Sequence, residues 1–199
     1  MNSAWAAQFL EVPFEKELLL FLETRKTELL VMFPYWLTNS KRGPRFNPVL
    51  FNAVTVYVGK HTAKTLESRG ESPTKENISR LPMVDLFMHL AHTFCNEGRY
   101  LLFRAMADQL RHPSVQTEIY SQTLIYIFSR TDHGIVCEIM TRVMVERLIA
   151  LPPHSPGLVS TFTHIIRDDA CDFWSLPFAS KNSEFHSIFR LILQRVAIL

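Results

Sequence analysis

The stretch Glu97–Phe128, EGRYLLFRAMADQLRHPSVQTEIYSQTLIYIF, decides the fold of this 199-residue chain. Apolar residues recur in it at spacings of three and four, the period of a helix with one buried face. It reads as two amphipathic helices, near 99–111 and 115–129, joined by the tight turn Arg111-His112-Pro113-Ser114. No side chain in it stands where a catalytic mechanism would need a nucleophile or a general base.

The same period continues outward. Upstream, Asn47-Pro48 puts a capping side chain before a proline at the first helical position. Leu50, Ala53, Val54, Tyr57, Val58 and His61 follow as one stripe. Gly59 interrupts that stripe at a cost of about 1 kcal/mol against alanine, and the close approach of a neighbouring helix would account for it. Downstream, Asp132 is placed to cap a helix whose apolar face is Val136, Met140, Val143, Met144 and Leu148. Glu138, Arg142 and Glu146 lie four apart on its solvated side. Pro152 and Pro153 end it, and Ser155-Pro156 starts the next. Further helices are expected near 14–24, 26–37, 83–94, 157–167 and 183–197. The segment 68–82 reads as a mobile loop and 38–47 as a second.

Six glycines are few for this length, and the eleven prolines fall between apolar segments as helix punctuation. The fold class is therefore all-α. Helix pairs at intervals of roughly 35–45 residues suggest a HEAT-like stack of antiparallel pairs, an irregular α-solenoid, with an irregular bundle as the rival architecture. Residues 13–199 form one helical domain, and the N-terminal segment 1–12 is unplaced.

Apolar residues at 47% and charged ones at 20% describe an ordinary globular chain. A net charge of +2 gives no strongly basic face for nucleic acid. Cys95, Cys137 and Cys171 are odd in number and far apart, and read as buried thiols in a reducing compartment. Glu11, Glu15, Lys16 and Glu17 interrupt every early apolar run, and no run approaches the roughly 20 residues that span a bilayer. The expectation is a soluble intracellular protein without membrane contact.

Asp85, His89 and His92 share a helix face, with Cys95 continuing the line, and zinc accepts all these residue types. The set lacks the HExxH glutamate, so a half-exposed polar stripe is the preferred reading and a metal-dependent hydrolase the alternative. No GxSxG elbow, P-loop or dinucleotide fingerprint is present. Cys171 beside Asp172 is followed by Phe173 and Trp174 and reads as core. Catalytic residues, bound metal and cofactors are all expected to be none. Lys41, Arg42 and Arg45 around Gly43-Pro44 could touch RNA phosphate; a solvated loop is preferred, so RNA contact is indirect or weak. Fifteen phenylalanines, five tyrosines and three tryptophans are mostly core by spacing, Phe103, Phe128 and Phe162 among them. Tyr35, Trp36 and Tyr120 sit near helix ends or polar neighbours, where aromatic rings anchor partners, with core as the preferred reading for any single one.

Several stretches together resemble the C-terminal domain of the large Not scaffold of the Ccr–Not deadenylase complex. They are Glu97–Phe128, IMTRVMVERLI (Ile139–Ile149), PPHSPGL (Pro152–Leu158), DFWSLPF (Asp172–Phe178), FNPVLFNAVTVYVGKHTA (Phe46–Ala63) and PFEKELLLFLETR (Pro13–Arg25). One departure is that the family turn carries tryptophan before its glycine, where this chain has Pro156 before Gly157. The resemblance implies a non-catalytic HEAT-like domain of a longer scaffold, cytoplasmic with the nucleus as a second compartment. It implies docking of Not-box subunits and of peptide motifs from mRNA-binding repressors, in support of mRNA deadenylation, decay and translational repression. Arg99, Gln109, Arg111, His112 and Thr117 occupy matched positions around one inter-helix turn and would grip partner backbone. Their structural alternative is that Arg111 or His112 satisfies the last carbonyls of the preceding helix.

Overall fold

The computed structural model describes residues 12–39, 45–150 and 155–180. Helix α1 is Val12–Thr24, and α2 is a single turn, Phe33–Trp36. A two-residue antiparallel ladder of Thr38–Asn39 (β1) with Arg45–Phe46 (β2) follows, Thr38 opposite Phe46. The remaining helices are α3 (Pro48–Arg69), α4 (Lys75–Ile78), α5 (Pro82–Thr93), α6 (Asn96–Asp108), α7 (Val115–Arg130), α8 (Gly134–Ala150), α9 (Pro156–Arg167) and α10 (Pro177–Ser180). Among the described residues the fold is all-α apart from that ladder.

Two start signals act as read, at Asn47 and Ser155, and the turn residue Ser114 supplies a third cap. Asn47 accepts from the amides of Val49 and Leu50 at 3.1 and 3.3 Å, with Pro48 opening α3. Ser114 accepts from Thr117 N at 3.2 Å to open α7. Ser155 does the same for Leu158 N, with Pro156 opening α9. These caps satisfy amides that have no partner inside their own helix.

Other local expectations are corrected. The helix expected over 26–37 is a 3-10 turn at Thr27–Val31 followed by α2. Pro34 has no N–H to give the Leu30 carbonyl one turn back, so an α-helix cannot run through it. The His89 side chain bonds the Leu30 backbone instead and ties α5 to this turn. The α8 helix begins at Gly134, two residues past Asp132, and Thr131 Oγ1 accepts from His133 N at 3.3 Å. The supposed mobile loop at 68–82 is held down. Gly70, at φ 63°, ends α3 in the left-handed conformation, Thr74 caps α4, and Ile78 and Leu81 are buried. The expected helix at 183–197 and the Pro152-Pro153 stop lie outside the described residues, as do Lys41 and Arg42, the side chain of Arg45 and the side chain of Tyr35.

Packing follows a two-layer rule. Helix α6 lies on α8 and α7 lies on α9, so alternate helices stack on each other, while α3 closes against both α6 and α7. That is the arrangement of a helical-pair array, in which each pair buries its apolar face on its neighbours. One hydrophobic core runs from Phe14 in α1 to Ala179 in α10. Aromatic rings fill it in edge-on groups: Phe14, Phe21, Phe33 and Trp36 at one end, and Phe162, Phe173, Trp174 and Phe178 at the other. The abundance of phenylalanine is therefore mostly core, as the spacing indicates. Cys137 and Cys171 are buried, and burial pushes their thiols up to about 12 and about 11. Cys95, expected buried, is exposed at the α5–α6 junction.

Candidate docking site

The polar residues singled out around the α6–α7 turn are mostly spent on holding the fold. Arg99 Nε donates to Ala91 O at 2.7 Å, Nη2 to His92 O at 3.0 Å, and Nη1 to Asn96 Oδ1 at 3.0 Å. Its guanidinium thus closes the C-terminal carbonyls of α5 from the first turn of α6, a use of arginine that suits a helix C-terminus. Gln109 donates to Ala105 O within its own helix. Thr117 is buried, and its hydroxyl bridges Gln109 O and His112 O. Ser155 Oγ donates to Leu110 O at 2.7 Å. The carbonyls of the turn that follows α6 are therefore met by Thr117 and Ser155, and not by Arg111 or His112.

Tyr120 is not a partner anchor in this conformation. It is 0% exposed, its hydroxyl donates to Thr55 O, and a Cβ on Gly59 would come within 2.6 Å of its ring. The helix that approaches Gly59 is α7, and Tyr120 is the residue that needs the missing side chain. A second such contact sets the α9 start: a Cβ on Gly157 would lie 2.7 Å from Leu110 O and 2.6 Å from Thr117 Cγ2. Trp36 is half-buried against Phe14 and Phe33, which leaves only part of its indole for a partner.

What remains exposed at the turn is Arg111, His112, Pro113 and Ser114, with Val115 exposed to 54% beside them. Val115 was not singled out by its sequence position, because it lies on the first turn of a helix whose other apolar residues face inward. The surface thus offers a cation, an imidazole and an uncovered apolar side chain on a rigid corner pinned by Thr117 and Ser155.

The metal-ligand candidates are engaged with other partners. Asp85 Oδ2 accepts from Arg25 Nε at 2.9 Å, His92 Nε2 meets Thr131 Oγ1 at 3.1 Å, and His89 bonds the Leu30 backbone. Among the described residues no three histidines, cysteines or carboxylates are placed to hold a metal ion. Burial holds the His89 and His92 imidazoles below their ordinary range, and for His92 the neighbouring His133, Arg99 and His89 add to it. The RNA reading of the Lys41–Arg45 loop falls outside the described residues.

These features define an α-solenoid scaffold whose polar side chains fix helix ends and whose α6–α7 turn presents an exposed corner. The chain belongs to the family described as CCR4-Not complex component, Not1, whose model matches residues 33–193. It is 35% identical over 153 residues to the CCR4-NOT transcription complex subunit let-711 of Caenorhabditis elegans, covering 77% of this chain and 6% of that protein. It is 34% identical over 133 residues to the General negative regulator of transcription subunit 1 of Schizosaccharomyces pombe, covering 63% of this chain and again 6% of the relative. The chain thus spans only a small part of the length of these proteins. Its fold matches the NOT1 superfamily homology domain from Chaetomium thermophilum with a TM-score of 0.76 at 22% identity, over 90% of this chain and 37% of that one. It also matches a Not1 C-terminal domain in complex with Not4, with a TM-score of 0.72 at 21% identity and the same coverage. Among the described residues, no helix is long and apolar enough to cross a membrane.

Proposed function

We propose that this domain is a non-catalytic docking platform of the CCR4–NOT complex, which receives Not-box subunits and peptide motifs of mRNA-binding repressors. It thereby couples recognition of an mRNA to deadenylation, decay and translational repression carried out by other subunits, in the cytoplasm and with the nucleus as a second compartment. The observation that carries this reading is membership of the Not1 family together with a fold shared with the Not1 C-terminal domain in complex with Not4. The internal logic of the site supports it. Side chains that could do chemistry are committed to helix ends, while Arg111, His112 and Val115 stand exposed on a braced corner. Arg111 donates to partner carbonyls or carboxylates, Val115 supplies an apolar contact, and the open part of Trp36 and the Tyr35 position provide a second aromatic contact.

The test is co-elution of this chain with purified Not-box subunits on size exclusion, after nuclease treatment and at high salt. Stoichiometric co-elution that drops on Arg111→Glu or Val115→Glu is the expected result. Failure of the unaltered chain to co-elute with any Not-box subunit would sink the proposal.

A further inference from the structure

Three arginines converge on one cavity of about 210 Å³ far along the chain from the turn just described. Arg25 follows α1, Arg69 lies in the last turn of α3, and Arg80 stands just before α5; Glu23, His61, Thr62 and Thr65 complete the polar lining. Arg25 is held in place, at φ 55°, by the bond of its amide to Phe21 O at 2.8 Å and by its guanidinium on Asp85. Among the described residues, Arg69 and Arg80 have no ion-pair or hydrogen-bond partner for their side chains. Glu23 is the single carboxylate in the lining.

The helix ends explain only part of this charge. The C-terminal carbonyls of α1 and α3 favour a nearby cation and account for Arg25 and Arg69. Arg80 has the opposite setting, since it stands at the N-terminal end of α5, where the helix dipole disfavours a cation. Arg25 is already met by Asp85, so among the described residues Arg69 and Arg80 are the two guanidinium-bearing residues of this lining that lack an anionic partner of their own. Burial lowers the His61 imidazole below its ordinary range, so at neutral pH it adds a neutral hydrogen-bonding group and not a fourth charge.

We infer that this cavity is a receptor for a phosphate monoester, presented by a phosphorylated serine or threonine of a partner polypeptide. A monoester carries close to two negative charges and three terminal oxygens, which match several forked guanidinium donors converging from different elements. A nucleic-acid phosphodiester fits less well. It carries one charge, must continue on both sides, and finds no phenylalanine, tyrosine or tryptophan in this lining on which a base could stack. The site is separate from the Arg111–Val115 corner, so the scaffold can sense phosphorylation of a partner without changing its Not-box contacts.

The probe is a fluorescein-labelled Gly-Gly-phosphoserine-Gly-Gly peptide, titrated with the full chain and followed by fluorescence anisotropy. The unphosphorylated peptide, inorganic phosphate and a short single-stranded RNA serve as the comparison arms. Binding of the phosphopeptide alone is expected, weakened about tenfold or more by Arg69→Ala and by Arg80→Ala, each removing charge-assisted hydrogen bonds. Both arginines are exposed, so circular dichroism and Not-box co-elution are expected to be unchanged in these variants. The inference is overturned if the two peptides bind alike, if neither binds, or if both variants bind as the unaltered chain does. Competition by inorganic phosphate at the same concentration as the peptide would reduce the site to a small-anion site, and displacement by RNA would assign it to nucleic acid; either result also overturns it.

Discussion

Gly59 and Tyr120 form a pair that neither position discloses alone. A methyl group at 59 would enter the ring of a tyrosine that is fully buried and hydrogen-bonded, so the ring has little room to yield. Overpacking of this kind costs about 1–3 kcal/mol, against a helix-propensity gain of about 1 kcal/mol for alanine. Gly59→Ala is expected to lower stability by roughly 1 kcal/mol, and to do so less in a Tyr120→Leu background; urea unfolding of the four chains measures the coupling. The histidines act on stability through pH. His61, His89 and His92 all have lowered values, first of all through burial, so the unfolded chain binds protons more readily. The stabilisation from neutral imidazole is present above the ordinary histidine value of 6.5 and is lost as pH falls below it. Tm is expected to drop between neutral pH and about pH 5, and His92→Gln should flatten the drop. An unchanged Tm across that range would refute it.

At the scale of elements, α6 and α8 are clamped by a half-buried ion pair. Arg147 Nη1 meets Asp108 Oδ1 at 2.7 Å and Nη2 donates to Arg104 O at 3.2 Å, while Nε is buried without a partner. Removing one member of such a pair leaves the other charge uncompensated: an unpaired Arg147, 12% exposed, costs about 3 kcal/mol, whereas an unpaired Asp108, 31% exposed, is better solvated and costs less. Asp108→Ala is therefore expected to destabilise the fold more than Arg147→Met does. Chemical denaturation of both variants gives the order, and the reverse order would show that the clamp contributes through arginine packing. The α7–α9 contact depends instead on the absence of a side chain at Gly157, where Leu110 O leaves no room. The caps at Asn47 and Ser155 were legible in sequence, because a cap needs only its own next three residues. The destinations of Arg99, Thr117 and Ser155 were not, since their acceptors lie on other turns and other helices.

Across the whole molecule, the single core makes unfolding cooperative, and the thiols report it. Cys95 is exposed while Cys137 and Cys171 are buried with strongly raised thiol values. One thiol is expected to react with Ellman's reagent in the native protein and all three in denaturant. Rapid native reaction of two or more would mean that the region around α8 and the end of α9 opens locally. The same core explains which candidate contacts failed. Tyr120 carried the composition of an anchor and the position of a core residue, and the approach of α3 decided between them. Arg111 and His112 stayed outside because the turn carbonyls beneath them were already taken.

The sequence by itself determined the all-α class, most helix starts, the apolar faces and the likeness to the Not scaffold. These depend on periods and on neighbours a few residues apart. Only the tertiary structure decided which polar residues are spent and which are free. It also brought Arg25, Arg69 and Arg80 together around one cavity. Those outcomes rest on distances between residues far apart in the chain, set by how α1, α3 and α5 pack, and helical periodicity carries no record of which helix a given face will meet.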